Sequence, residues 1–120
     1  MNTDEILKSL FESIDMMDDD KFASYLHDDV SFIFGNAAPV VGKNAARDSV
    51  AGFFAAIREL SHSLESTIGN DSEIICRGRV KYTRHDGSTL EIPFANYFAF
   101  ADGLIKRYQI YADISRLFAS

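Results

Sequence analysis

The chain has 120 residues, 47% hydrophobic and 25% charged, which describes one soluble globular domain with a single core. Its net charge of −6 and pI of about 4.9 repel a phosphate backbone or an anionic membrane surface, and no Lys/Arg cluster offsets this. Cys76, the single cysteine, excludes an intrachain disulfide, and a reducing cytosol fits it.

Ile6, Leu7, Leu10, Phe11, Ile14 and Met17 recur at three- and four-residue spacing, which predicts an amphipathic first helix. Asn2 or Thr3 is its expected cap, and Asp4 and Glu5 complement the dipole of its first turn. The run Asp18–Asp20 breaks the pattern. It reads as a cap for a short second helix carrying Phe22, Tyr25 and Leu26, in preference to a metal site. Val30–Phe34 is a short strand, followed by a loop with a brief strand at Val40–Val41. A third helix is expected from Asn44 to Leu60, with Val50, Phe53, Phe54, Ile57 and Leu60 on one face.

Four strands follow: Leu64–Ile68, Glu73–Arg84, Ser88–Ala101 and Leu104–Ile114. Asp86-Gly87 and Asp102-Gly103 are hairpin turns of the kind that need positive φ. The order α-α-β-α-β-β-β-β predicts an α+β fold, a curved antiparallel sheet wrapped over three helices. The opening stretch MNTDEILKSLF is charged and lacks the apolar region of a signal peptide, and no apolar run is long enough to cross a membrane, so the expected location is cytoplasmic.

The order and several stretches resemble the nuclear transport factor 2-like superfamily, and within it the SnoaL-like and ketosteroid-isomerase-like proteins. YLHDDVSF (25–32) is similar to their second helix entering the first strand. PVVGKNAARDSVAGFF (39–54) is similar to their Gly-led entry into the third helix, and PFANYFAFADGLIKRYQIYADIS (93–115) to their last hairpin. The resemblance implies a cone-shaped bent sheet around a pocket, closed at one end by helices, and pairing as a homodimer through the sheet. It also implies that the last-strand carboxylate at Asp113 serves as an acid-base group. The family's ketosteroid isomerases use an aspartate and a tyrosine at places that here fall on Phe34 and near Leu10–Phe11, so steroid isomerisation is not expected. The Arg-x-Asp of its epoxide hydrolases has its nearest counterpart in Arg79-Val80-Lys81, with a Lys in place of the Asp.

Asp113 has two competing roles. It caps the terminal turn ISRLF or pairs with Arg116, which would lower its pKa. Alternatively it faces a pocket, where Tyr111, Phe94 and Phe98 would desolvate it and raise its pKa above the ~3.9 of a free Asp. In the strand IICRGRVKYTR, Cys76, Gly78, Val80 and Tyr82 alternate with Arg77, Arg79, Lys81 and Thr83. The first set is expected inside, where Tyr82 offers a phenol. Asn96, between Phe94 and Phe98 on an inward face, needs a partner in a ligand or a neighbouring loop. His62 is a rim residue after the third helix or a second acid-base group. Asn36 belongs to the turn FGNAAP or to the pocket's edge.

The predicted site therefore has Asp113 and His62 as acid-base candidates and Tyr82, Asn96, Phe34, Asn36, Phe98 and Tyr111 as substrate contacts. The three histidines sit on separate elements with no partnering Cys pair, and no Gly-rich phosphate loop or GxSxG elbow is present. The reading is a small hydrophobic or cyclic ligand, no metal, no cofactor, and either proton-transfer chemistry, simple binding, or a scaffold for protein interaction.

Overall fold

The structure, a computed structural model, describes residues 3–118. Helix α1 (Thr3–Asp15) buries Ile6, Leu7, Leu10, Phe11 and Ile14, the stripe that its spacing dictates. Its expected capping by Asn2 or the Thr3 side chain lies outside the described residues. Helix α2 (Asp19–Ala23) is capped by Asp18, whose Oδ1 accepts the Lys21 backbone N–H at 3.0 Å, so capping accounts for this part of the acidic run. Strands β1 (Leu26–Phe34) and β2 (Val40–Val41) lead to helix α3 (Lys43–Ala56). Then come β3 (Glu59–Gly69), β4 (Glu73–Thr83), β5 (Thr89–Ala101) and β6 (Leu104–Tyr111).

The six strands form one sheet in the order β2-β1-β6-β5-β4-β3. The three hairpins from β3 to β6 are antiparallel, but β6 pairs with β1 in parallel, with Phe32 opposite Tyr108. The expectation of a wholly antiparallel sheet is corrected at that one seam. The chain leaves β1 through α3, and three successive hairpins return β6 alongside β1 in the same direction. The α+β class and the three helices packed on one side stand as read.

Bulges bend the sheet at Glu65 in β3, between Leu64 and Ser66, and at Lys106 in β6, opposite Ala99 and Phe100 of β5. Opposite the first, Gly78 has no room for a side chain: a Cβ there would lie 2.0 Å from the Ser63 carbonyl oxygen. The bend therefore depends on a glycine at the centre of an otherwise alternating strand.

Two boundary shifts matter for the site. Helix α3 ends at Ala56, four residues earlier than its periodicity suggests, because Ile57 is already extended at φ −129°, ψ 163°. Its apolar side chain stays buried as part of the sheet-side core. β3 thus begins at Glu59, and His62 lies within a strand rather than after a helix. At the other end, β6 stops at Tyr111, so Asp113 lies beyond the strand.

Candidate functional site: a cavity under the sheet with a partly buried Asp–His pair

The concave side of the sheet and helix α3 enclose a cavity of about 800 Å³, within the range of ligand pockets. Phe and Tyr make up eight of its 23 lining residues. Phe34 of β1 packs on Phe53 of α3 with ring centroids 5.7 Å apart, and Phe53 meets Tyr82 of β4 edge-on at 5.8 Å. Gly35, Asn36 and Ala37 after β1, with Asp113 and Ser115 after β6, form the mouth.

His62 stands in the wall through its place on β3, opposite Val80 of β4. Its ring rests against Phe11 and Phe94, at centroid distances of 4.9 and 5.3 Å. Asp15, the last residue of α1, holds it twice. The ring nitrogen Nδ1 is 2.6 Å from Asp15 Oδ1, and the His62 backbone N–H donates to Oδ2 at 3.1 Å. The histidine side chain is 11% exposed and the carboxylate 29%. A carboxylate at a helix C-terminus opposes the dipole, and no basic residue stands in that last turn; the two hydrogen bonds from His62 compensate. Nε2 has no protein partner among the described residues.

Tyr82 and Tyr108 reach the same cavity from β4 and β6. Burial pushes the Tyr82 phenol from 10.0 up to about 12. Burial also raises Tyr108 well above its ordinary value, and the neighbouring Cys76, Tyr82 and Asp15 add to the shift. Both hydroxyls therefore stay protonated at neutral pH and offer O–H donors. Asn96 of β5 is 2% exposed and lines the cavity, between Cys76 and Ile110 on the adjacent strands.

The remaining sequence-predicted residues divide. Phe34 is in the lining and Asn36 at the exposed mouth. Phe98 is not in the lining: it is fully buried behind it, packed on Tyr108 at 4.5 Å. Tyr111 is corrected outright. Strand alternation puts Tyr108 and Ile110 inside, so Tyr111 points outward and is 54% exposed.

The expected desolvation of Asp113 is corrected as well. Asp113 is exposed at the mouth, and its Oδ1 accepts the Ser115 backbone N–H at 2.9 Å. That bond and one from the Ser115 hydroxyl lower its pKa, with Arg116 assisting. The capping geometry is the one realised. Arg84 fixes the turn that follows by donating to the carbonyls of Leu117 and Arg116 at 2.8 and 3.0 Å.

Asp15 and Tyr108 are the site residues that the sequence reading missed. An unaccompanied acid in the last turn of an amphipathic helix was a signal for the first. For Tyr108 there was none, since a tyrosine on an apolar strand face reads as core. Among the described residues no group of three His, Cys, Asp or Glu is placed to hold a metal ion, and no helix is long and apolar enough to cross a membrane.

A bent sheet over three helices with a lined interior cavity is the architecture of the SnoaL-like proteins. The model of the SnoaL-like domain family matches residues 7–108, and the chain belongs to that family. No curated protein matches it. Among solved structures it is similar to a protein from Jannaschia sp. CCS1 classed as a SnoaL-like polyketide cyclase, at TM-score 0.82 and 18% identity, covering 94% of this chain and 86% of that one. It is similar also to an NTF2-like protein of unknown function from Burkholderia pseudomallei, at TM-score 0.86 and 14% identity over 98% and 95% of the two chains. A third is a protein of ketosteroid isomerase-like fold from Catenulispora acidiphila in complex with trimethylamine, at TM-score 0.85 and 12% identity over 96% and 89%. At these identities the likeness is one of fold.

Proposed function

We propose that this protein binds a small, largely apolar ring compound and transfers a proton on it without a cofactor, as in an isomerisation or cyclisation. The observation that carries this reading is His62 in the cavity wall, held from behind by Asp15 through a 2.6 Å contact. With Nδ1–H donated to the carboxylate, Nε2 keeps a lone pair and becomes the proton acceptor. Asp15 sets the tautomer and stabilises the imidazolium that forms. Tyr82 and Tyr108, held neutral by burial, supply O–H donors to an oxygen on which charge develops. Proton return from the imidazolium completes the cycle without net consumption of acid or base. The role first expected of Asp113 passes to His62, because a carboxylate stabilised in its charged form at the mouth is a weaker base than an oriented imidazole.

The test uses a simple enolisable ring ketone. 2-Tetralone in D2O exchanges its α-hydrogens, and NMR follows the loss of signal. The wild-type protein is expected to accelerate exchange over buffer, and His62→Gln to lose about 10²–10³-fold of that acceleration. Exchange at the buffer rate with wild-type protein, or acceleration retained by His62→Gln, refutes the proton-transfer reading. The second reading, a binding module, draws support from the capped and exposed Asp113, and tetralone that binds without exchanging would favour it.

A further inference from the structure

Asn96 says what the ligand must carry. It sits at the centre of β5, 2% exposed, in the cavity lining. Its Oδ1 is the one buried side-chain N or O atom without a hydrogen-bond partner among the described residues. Elsewhere the fold satisfies such groups: buried Ser13 donates its hydroxyl to the Leu10 carbonyl at 2.6 Å. Asn96 has no equivalent recourse. Its cross-strand neighbours are Cys76 and Ile110, and along its own strand the inward neighbours are Phe94 and Phe98. An apolar residue would pack there at no cost, whereas a buried, unpaired amide carbonyl is destabilising. An acceptor kept at such a place calls for an explanation, and a bound ligand supplies one.

The charges around it narrow the class. The lining contains no Lys or Arg. The carboxylates near the cavity are Asp15, behind His62, and Asp113, at the mouth. An anion would find no counter-ion inside and two like charges nearby. The flat faces of Phe34, Phe53 and Tyr82 suit a ring.

We propose that the cavity selects an uncharged ring compound bearing an O–H or N–H donor, which it anchors through the Asn96 side-chain oxygen. This deepens the reading of the cavity as a small-molecule site and rests on it. A phenol or enol hydroxyl directed at Asn96 satisfies the orphan acceptor. A carbonyl oxygen elsewhere on the same ring then meets the tyrosine hydroxyls. An analogue whose donor is methylated loses its bond and leaves Asn96 buried and unpaired.

Three naphthalene probes test this by isothermal titration at pH 7: 2-naphthol, 2-methoxynaphthalene and 2-naphthoate. The wild-type protein is expected to bind 2-naphthol about tenfold more tightly than 2-methoxynaphthalene, with 2-naphthoate weakest. Asn96→Leu, close in shape and without the acceptor, should bind the first two equally. Asn96→Ala provides the same comparison if Leu is not accommodated, and circular dichroism verifies the fold of each. Equal wild-type affinity for 2-naphthol and its methyl ether overturns the inference, as does a preference that survives in the folded variants, or 2-naphthoate binding as tightly as 2-naphthol. If the probes bind without a donor preference, only this inference falls and the tetralone exchange stands apart from it. If none of the three binds, the small-molecule reading of the cavity falls too.

Discussion

Asp15→Asn isolates the contact on which the proposed chemistry depends. In the wild type one carboxylate accepts both the Nδ1 contact at 2.6 Å and the His62 backbone N–H at 3.1 Å. Hydrogen bonds to a charged group contribute ~1.5–3 kcal/mol where solvent is excluded. Here the histidine is 11% and the aspartate 29% exposed, so solvent screens part of this and a coupling of about 1–2 kcal/mol is expected. Urea denaturation of the wild type, Asp15→Asn, His62→Gln and the double variant gives that coupling as the departure from additivity. The helix dipole adds a sign: in the His62→Gln background, Asp15→Asn should be neutral or slightly stabilising, since it removes a negative charge from the end of α1 that disfavours it. In the exchange assay Asp15→Asn should slow turnover about 10–100-fold with little change in the concentration of tetralone at half-saturation, because the amide still fills the space but no longer supports the imidazolium. Additive stability effects, together with unaltered exchange by Asp15→Asn, would refute the pair as a functional unit.

The remaining predictions concern the phenols, the mouth and the outer face. Tyr82 is raised from 10.0 to about 12 by burial, so the unfolded chain loses this proton first and stability falls as pH rises from 10 to 12, by about 3 kcal/mol for this group; Tyr82→Phe should flatten that alkaline decline, and a decline of wild-type steepness counts against it. Asp113 has its folded pKa lowered by Ser115, so its contribution is present above its unfolded value near 3.8 and is lost as pH falls through the folded one. Asp113→Ala should therefore melt below the wild type at pH 7 and converge with it in strong acid; an unchanged Tm together with lost exchange would restore it to the acid-base role. On the outer face of the sheet Ile68, Ile75 and Tyr111 are more than half exposed, on strands joined by register through Tyr97 and Ala95, an apolar area suited to a second copy of the chain. Sedimentation should show a dimer that Ile75→Glu shifts to monomer, and a wild-type monomer at micromolar concentration defeats the expectation.

How much of this was legible follows from where each signal is encoded. The strict alternation of β4 placed Tyr82 inside and Arg77, Arg79 and Lys81 outside, because a strand's period of two is local. The hairpin turns were legible for the same reason: Asp102 and Gly103 both adopt the positive φ expected of them, whereas in Asp86-Gly87 only the glycine does. The helix of α3 was read too long because Ile57 and Leu60 fit its apolar face as well as they fit the start of β3. That one error hid His62 inside a strand. The parallel seam between β1 and β6 depends on how the whole open sheet is assembled, which no window of sequence contains.

Asp113 and His62 show why a site is harder to read than a fold. Both are polar residues at the margin of apolar segments, and either could have been the base. What separates them is the partner each one meets. Asp113 meets the backbone N–H of Ser115 two residues on, a local turn that any exposed Asp can form. His62 meets a carboxylate 47 residues away, delivered by the end of a helix whose own dipole resists it. A group satisfied by its neighbours in sequence needs nothing more than a turn to explain it. The Asp15–His62 pair costs helix stability and burial of polar atoms, leaves one imidazole nitrogen unpartnered, and places that ring in the wall of an aromatic cavity beside two neutral phenols and an orphan amide oxygen. Packing alone accounts for the phenyl rings of that wall. It does not account for the polar groups, and the proposed proton transfer on a donor-bearing ring would account for them together.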